Sequence, residues 1–266
     1  MARSTYISEN LTQSHLEVLL LLDEHEMELF SLEDVKGLLP RQPDEVNEIL
    51  ENLVHKKMLS RIERGKFCRA NFRDEKAIGS FLVPDGAIAY WSALNLHGLT
   101  EQFSNTLFIQ TTRIKKNKQV FGVSYKFVTI APSKRDGVIK EGYGNRSYVI
   151  TDVEKTIVDC FDLPKYSGGY AELIRAFAQA KLSSEKMIQY CKTINNIAAT
   201  KRMGFLAELL EKPGMKTFIR FALQQVKEAN NPFDPNGPDK GDYVREWRLR
   251  LNISRDELME IINKSY

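Results

Sequence analysis

Apolar positions along the first 75 residues recur at helical spacing and then switch to alternation. Leu11, His15, Val18, Leu19 and Leu22 fall on one face of a helix, so the pattern predicts an amphipathic element from about Thr12 to Glu24. A second helix is predicted from Ser31, whose hydroxyl can cap it and whose Ser-Leu-Glu-Asp continuation places a carboxylate three residues on; Leu32, Val35, Leu38 and Leu39 form its stripe. Pro43 suits the first turn of a third helix with Val46, Ile49, Leu50 and Leu53 inward. Leu59–Glu63 and Lys66–Phe72 then read as two strands joined by Arg64-Gly65, the glycine supplying the positive φ of a tight hairpin. Three short helices followed by a hairpin is the winged-helix order.

The pattern changes beyond residue 75. Pro84-Asp85 is expected to open a helix reaching about Leu96 and stopped near Gly98. Thr106–Thr111, Val120–Ile130, Gly137–Lys140 and Ser147–Ile150 read as strands of a small, mostly antiparallel sheet. Helices are then expected over Thr151–Phe161, Gly169–Ala180, Ser184–Thr193, Ile197–Leu210 and Met215–Glu228. The Pro- and Gly-rich stretch Asn230–Gly241 reads as a surface loop. A strand over Tyr243–Leu251 follows, and then a last helix capped by Ser254 with Glu257. The expected fold class is α+β: an N-terminal winged helix-turn-helix over 1–75, then a larger mixed domain over 76–266 with a small antiparallel sheet and several helices.

Composition and charge refine this picture. With 42% hydrophobic and 27% charged residues, the chain has the balance of a globular protein. The apolar run Val18–Leu22 is far too short for a membrane span and no signal-like region precedes it, so a cytoplasmic location without a membrane partner is expected. Cys68, Cys160 and Cys191 are odd in number and far apart, which suggests reduced thiols rather than a disulfide framework or a zinc site. The net charge of +3 conceals an asymmetry: residues 1–75 carry 10 Lys+Arg against 15 Asp+Glu, or −5, leaving 28 against 20, or +8, for residues 76–266.

No phosphate-binding Gly-rich loop, His-Glu-x-x-His or Gly-x-Ser-x-Gly is present, and the four histidines do not cluster. One group invites an enzymatic reading: Asp152, Glu154, Lys155 and Asp159 hold the residue types of a metal-dependent nuclease-like hydrolase. The simpler account makes Thr151-Asp-Val-Glu154 a capping box and Lys155–Asp159 an i,i+4 pair on the exposed face of the same helix. The chain is therefore expected not to be an enzyme, and no cofactor or metal is expected.

A winged helix docks its third helix in the major groove and lays a basic wing on phosphates. Arg61, Arg64, Lys66 and Arg69 lie on or beside the hairpin, and Lys56 and Lys57 lead into it. The third helix itself is acidic at Asp44, Glu45, Glu48 and Glu51; Asn47 can read adenine, and Arg41 and Gln42 just ahead of the helix are better placed for contacts. Arg113, Lys115, Lys116 and Lys118 form a second basic cluster between two predicted strands. It reads either as a solvated hairpin tip or as a second phosphate contact. A protein-interaction module without DNA binding is the alternative for the first domain.

Five segments in order give the chain a resemblance to the AbiEi antitoxins of abortive-infection (type IV) toxin–antitoxin systems. Arg64-Gly-Lys-Phe67 is similar to the family's wing and Ala87-Ile-Ala-Tyr-Trp-Ser-Ala-Leu-Asn-Leu-His-Gly-Leu-Thr-Glu-Gln102 to its most recognisable segment. Asp152-Val-Glu-Lys-Thr-Ile-Val-Asp159 with Pro164 and Tyr166-Ser-Gly-Gly169, then Ala199-Thr-Lys-Arg-Met-Gly-Phe205 and Trp247-Arg-Leu-Arg-Leu-Asn252, complete the order. The resemblance implies a transcriptional regulator of phage defence whose winged helix binds double-stranded DNA at its own promoter. It also implies a C-terminal domain that counters a co-encoded nucleotidyltransferase-like toxin, without a stable toxin–antitoxin complex.

Overall fold

The computed structural model describes residues 10–102 and 104–264. Residues 1–9, 103 and 265–266, which the expected domains include, lie outside the described residues. The chain forms two compact units, one comprising residues up to Ile78 together with Gly142–Ser147 and the other comprising the remainder. Its class is α+β. No helix among the described residues is long and apolar enough to cross a membrane.

In the first unit, α1 (Gln13–Glu24) is capped by Thr12 and α2 (Leu32–Lys36) by Ser31, whose side chain exchanges bonds with Asp34 as the sequence leads one to expect. Pro43 opens α3 (Pro43–His55), which buries Val46, Ile49, Leu50 and Leu53. β2 (Leu59–Glu63) and β3 (Lys66–Arg69) turn at Gly65, φ +72°. The pattern left out β1 (Leu29–Ser31), which pairs antiparallel with β3 and completes a sheet of order β1-β3-β2. Phe30 and Phe67 stack across that pairing at 6.1 Å, joining the sheet to the aliphatic core of the three helices. The segment Gly142–Ser147 joins this unit through Asn145, whose side-chain amide donates to the Glu26 carbonyl and whose oxygen accepts from the Glu28 N–H. A division at residue 75 leaves out that segment.

The second unit departs further from the pattern. Its first elements are α4 (Glu75–Phe81), where the boundary between the units falls, β4 (Ala87–Ile88) and α5 (Tyr90–Leu96). The expected helix from Pro84 is thus a turn and a two-residue strand before α5 begins. The strand Thr106–Thr111 is found as β5, whereas Val120–Ile130 is a hairpin, β6 (Lys118–Val120) and β7 (Val123–Thr129), broken at Phe121-Gly122, both with positive φ. With β8 (Val138–Glu141) and β9 (Tyr148–Thr151) the sheet has six strands in the order β6-β7-β5-β4-β9-β8. It is mixed rather than simply antiparallel: β5 pairs parallel with β7 over six residues and β4 parallel with β9.

The helices are α6 (Val153–Asp162), α7 (Tyr170–Gln179), α8 (Ser184–Ile194), α9 (Ile197–Leu209), α10 (Lys216–Gln224) and α11 (Arg255–Asn263), the last with the expected Ser254–Glu257 capping box. They enclose one large core with Tyr90, Phe161, Phe177, Phe205, Phe218 and Trp247 fully buried. The predicted strand over Tyr243–Leu251 is two, β11 (Asp242–Val244) and β12 (Leu249–Leu251), with Trp247 in the turn between them. β10 (Asn231–Pro232) lies within the expected loop and pairs parallel with β12. Cys68, Cys160 and Cys191 are buried free thiols, and burial raises all three pKa values.

Candidate nucleic-acid interface

The first turn of α3 and the β2–β3 turn border one groove of about 530 Å3, lined by Pro43, Asp44 and Asn47 on one side and Arg64, Gly65 and Lys66 on the other, with the Lys36–Glu33 ion pair of α2 (3.0 Å) beside them. Local sequence explains the convergence. Pro43 starts the helix and the positive φ of Gly65 reverses the hairpin, so Asn47 and the exposed Arg64 border the same space. Two of the four acids of α3, Asp44 and Glu45, sit in its first turn, where the helix dipole favours them.

The remaining sequence candidates separate by what holds them. Arg61 pairs with Glu51 at 3.1 Å, Arg41 with Glu17 at 2.5 Å and Lys66 with Glu63 at 3.2 Å. Solvent-accessible pairs of this kind contribute about 0–1 kcal/mol, so a phosphate can compete for those cations. Lys56 donates to the Asn10 carbonyl at 3.1 Å, and Gln42 and Lys57 are exposed. Arg69 is the exception. Its guanidinium donates to the carbonyls of Met27 and Leu19 and to Asp23, which ties β3 to the end of α1. Three acceptors from its own unit already engage it, so among the described residues Arg69 has a structural role that Arg64 lacks.

The second basic cluster is neither a hairpin tip nor a uniform row of cations. Because β5 and β7 are parallel and β6 lies outside β7, residues 112–117 must cross over the end of β7 to reach the edge strand. The crossing is pinned along its length. Asp85 accepts from the Thr111 hydroxyl at 2.5 Å, the Thr112 hydroxyl at 2.6 Å and the Thr112 N–H at 2.7 Å. Thr129 donates to the Arg113 carbonyl, and the Phe127 N–H donates to Asn117. Lys115 turns back, its ammonium donating to the Leu82 carbonyl at 2.9 Å and lying 5.5 Å from the Phe127 ring centre. Lys115 is thus a tether, while Arg113 and Lys116 are exposed and Lys118 opens β6 half-buried.

Asp85 escaped the sequence reading because its partners lie 26 and 27 residues away. Partial burial works to raise its carboxyl, but the bonds from Thr111 and Thr112 outweigh this and hold it at about 2. A folded pKa below the unfolded one contributes stability that is complete above about 4 and is lost as pH falls towards about 2. Asp85→Asn is expected to cost about 1–2 kcal/mol at neutral pH, reduced from the full worth of charge-assisted bonds because solvent reaches the group. It should also remove that acid-side slope and speed amide exchange at Arg113 and Ile114. Unchanged exchange there would show that Asp85 does not order the crossing.

The carboxylates of the Asp152–Asp159 group each have their own partners. Asp152, not Thr151, caps α6 by accepting from the Lys155 N–H at 2.8 Å, and it also accepts from Tyr190 and Lys186. Glu154 accepts from the Ser183 N–H at 2.9 Å rather than closing a capping box. Lys155 and Asp159 pair in the core, 0% and 3% exposed, and not on an outer face. Among the described residues no group of three His, Cys, Asp or Glu is placed to hold a metal ion.

The segment Ala199–Phe205, one of the five that carry the resemblance, also has a packing account. Lys201 donates to the Ala229 and Arg248 carbonyls and Arg202 to the Pro232 carbonyl. Gly204 faces Trp247, whose indole N–H donates to Glu208 at 2.7 Å.

No protein-family model and no curated protein matches the sequence. Among solved structures the chain is similar to the crystal structure of RV2827C protein from Mycobacterium tuberculosis, with a TM-score of 0.63 and 15% identity over 97% of each chain. A likeness at that identity concerns the fold alone.

Proposed function

We propose that this chain is a cytoplasmic, double-stranded DNA-binding antitoxin that represses its own promoter and counteracts a co-encoded nucleotidyltransferase-like toxin. The observation that carries the DNA reading is the shared groove of the α3 N-terminus and the β2–β3 turn, with Asn47 and Arg64 on its two sides. Three helices with a three-stranded sheet of order β1-β3-β2 make this unit a winged helix in our reading, with α3 as recognition helix and the Arg64 turn as wing. The antitoxin role rests on the resemblance of the five sequence segments and belongs to the larger unit.

Retardation of the DNA upstream of the chain's own gene, measured over a range of salt, tests the first part. Arg64→Ala is expected to weaken operator and non-operator binding alike and to make the salt slope shallower by about 0.9, the contribution of one phosphate. Arg69→Ala is expected to lower stability and leave the slope unchanged, because its guanidinium serves the protein. Equal slopes for wild type and Arg64→Ala would remove the wing assignment. Co-expression of the full chain from a foreign promoter with the neighbouring gene, scored by survival, tests the second part.

A further inference from the structure

Ile114 is the most exposed large hydrophobic side chain among the described residues, at 94% against 83% for Tyr143, and unlike the tyrosine it has no polar group to offer water. An isoleucine gains about 1.5–3 kcal/mol when fully buried, and this one gains almost none of it. Nor is it carried on a loose tip. Asp85 and Thr129 hold the backbone on its N-terminal side, Asn117 holds the far end, and the Lys115 ammonium anchors the middle on the Leu82 carbonyl. The crossing over β7 therefore presents Ile114 at its crest, next to Arg113 and two residues from Lys116, both exposed.

The surrounding charge points to the partner. Residues 102–135 contain seven Lys+Arg and no Asp or Glu, so this one segment carries nearly all of the +8 excess of residues 76–266. Lys126 lies over the Phe108 and Tyr166 rings and Lys134 pairs with Asp162. Arg135 is exposed further along the segment, and Arg113 and Lys116 are the exposed cations on either side of the isoleucine in sequence. An apolar side chain on a rigid projection, flanked by cations and without a nearby carboxylate on its own segment, matches a polyanion whose interior is apolar and stacked. Duplex DNA has that chemistry. Its minor groove, about 6 Å wide, excludes a helix but admits single side chains, it attracts arginine where narrow, and apolar wedges enter its base steps.

We propose that Ile114 is a minor-groove wedge: it inserts at a base step and partly unstacks it, while Arg113 and Lys116 hold the flanking phosphates or groove walls. This rests on the DNA reading above and adds to it a contact from the larger unit that does not depend on the α3 groove. The wedge and the phosphate contacts separate physically, because an isoleucine neutralises no phosphate and releases no counterion.

The test uses the full chain and duplexes from the DNA upstream of its gene, with 2-aminopurine placed at successive steps. Wild type is expected to raise the fluorescence of the probe several-fold at one step. Ile114→Ala is expected to abolish that rise and to weaken binding by about tenfold with an unchanged salt slope, since burial of the side chain and the cost of unstacking partly cancel. Lys116→Ala is expected to do the reverse, keeping the fluorescence signal and reducing the slope by about 0.9. Ile114→Leu should retain the signal, which separates a wedge from a specific fold requirement. Retardation by wild type without a fluorescence rise at any step would overturn the wedge and leave the DNA reading standing. No retardation even at low salt would remove both. Sedimentation with phosphatidylserine-containing vesicles that depends on Ile114, together with duplex binding that does not, would instead assign the loop to a membrane surface and overturn the proposal.

Discussion

Lys155→Met is expected to destabilise the larger unit by about 3–5 kcal/mol at neutral pH, because it leaves the Asp159 carboxylate buried without its counter-charge. Both residues lie in the core on the α6 face, and one Asp159 oxygen, Oδ2, already has no hydrogen-bond partner among the described residues. Burial drives the Asp159 carboxyl up to about 6 even with Lys155 opposing the shift. Without the ammonium it should rise further. A carboxyl whose folded pKa lies above its unfolded value of about 3.9 favours the folded state as pH falls, since only the folded form then holds the proton. Stability of the variant should accordingly increase as pH is lowered from about 7 to about 5, and the deficit against wild type should shrink over that window. Urea unfolding across the range measures both quantities. Lys155→Met with Asp159→Leu is expected to be far closer to wild type than the single change, because no charge is then left uncompensated. A pH-independent deficit for Lys155→Met would show that Asp159 is not buried as described.

Lys155 and Asp159 also show where sequence reading stops. An i,i+4 spacing puts two side chains on one helix face whether that face meets water or protein. What distinguishes the cases is the rest of the turn, and Ile157, Val158, Cys160 and Phe161 are all buried, so α6 is enclosed on nearly every side. An apolar residue at almost every non-charged position after Thr156 was the available signal. By contrast the start and the inward face of α3 were legible, since Pro43 and the four inward positions define one start and one stripe. Two- and three-residue strands were not. Ala87–Ile88 is too short for an alternation to register, and its place between β5 and β9 depends on residues far along the chain.

The candidate interface divides in the same way. Composition identifies cations but not which of them the protein has already taken. Arg69 and Arg64 are equally prominent on the predicted hairpin, yet Asp23 and two carbonyls from 42 and 50 residues earlier hold the first. Lys115 and Lys116 are adjacent in sequence, and only Lys115 returns to a carbonyl 33 residues away. Charge counting thus overstates the wing and the crossing loop alike. It also passes over Ile114, the residue on which the proposed contact depends, because one aliphatic side chain among lysines carries no charge signal.

Trp247→Ala is expected to destabilise the larger unit by about 3–5 kcal/mol, through a large cavity between α9, α10 and the short sheet of β10, β12 and β11. Trp247 is completely buried and its indole N–H is bonded to Glu208, so the change removes both packing and a charge-assisted bond. The space exists because residue 204 is glycine: a Cβ there would lie 2.4 Å from Cη2 and 2.5 Å from Cζ3 of Trp247 and 2.6 Å from Cβ of Ala222. None of these atoms can yield without moving a ring or a helix. Gly204→Ala is therefore expected to cost about 1–3 kcal/mol from overpacking despite the better helix propensity of alanine. The two changes should not be additive. With the ring gone, the new methyl enters the vacated volume and only the Ala222 contact remains to be relieved. The double variant should then lie closer to wild type than the sum of the single costs, by about 1 kcal/mol or more. Thermal or urea unfolding of the four proteins measures this coupling. Strict additivity would mean that Gly204 does not serve to seat Trp247.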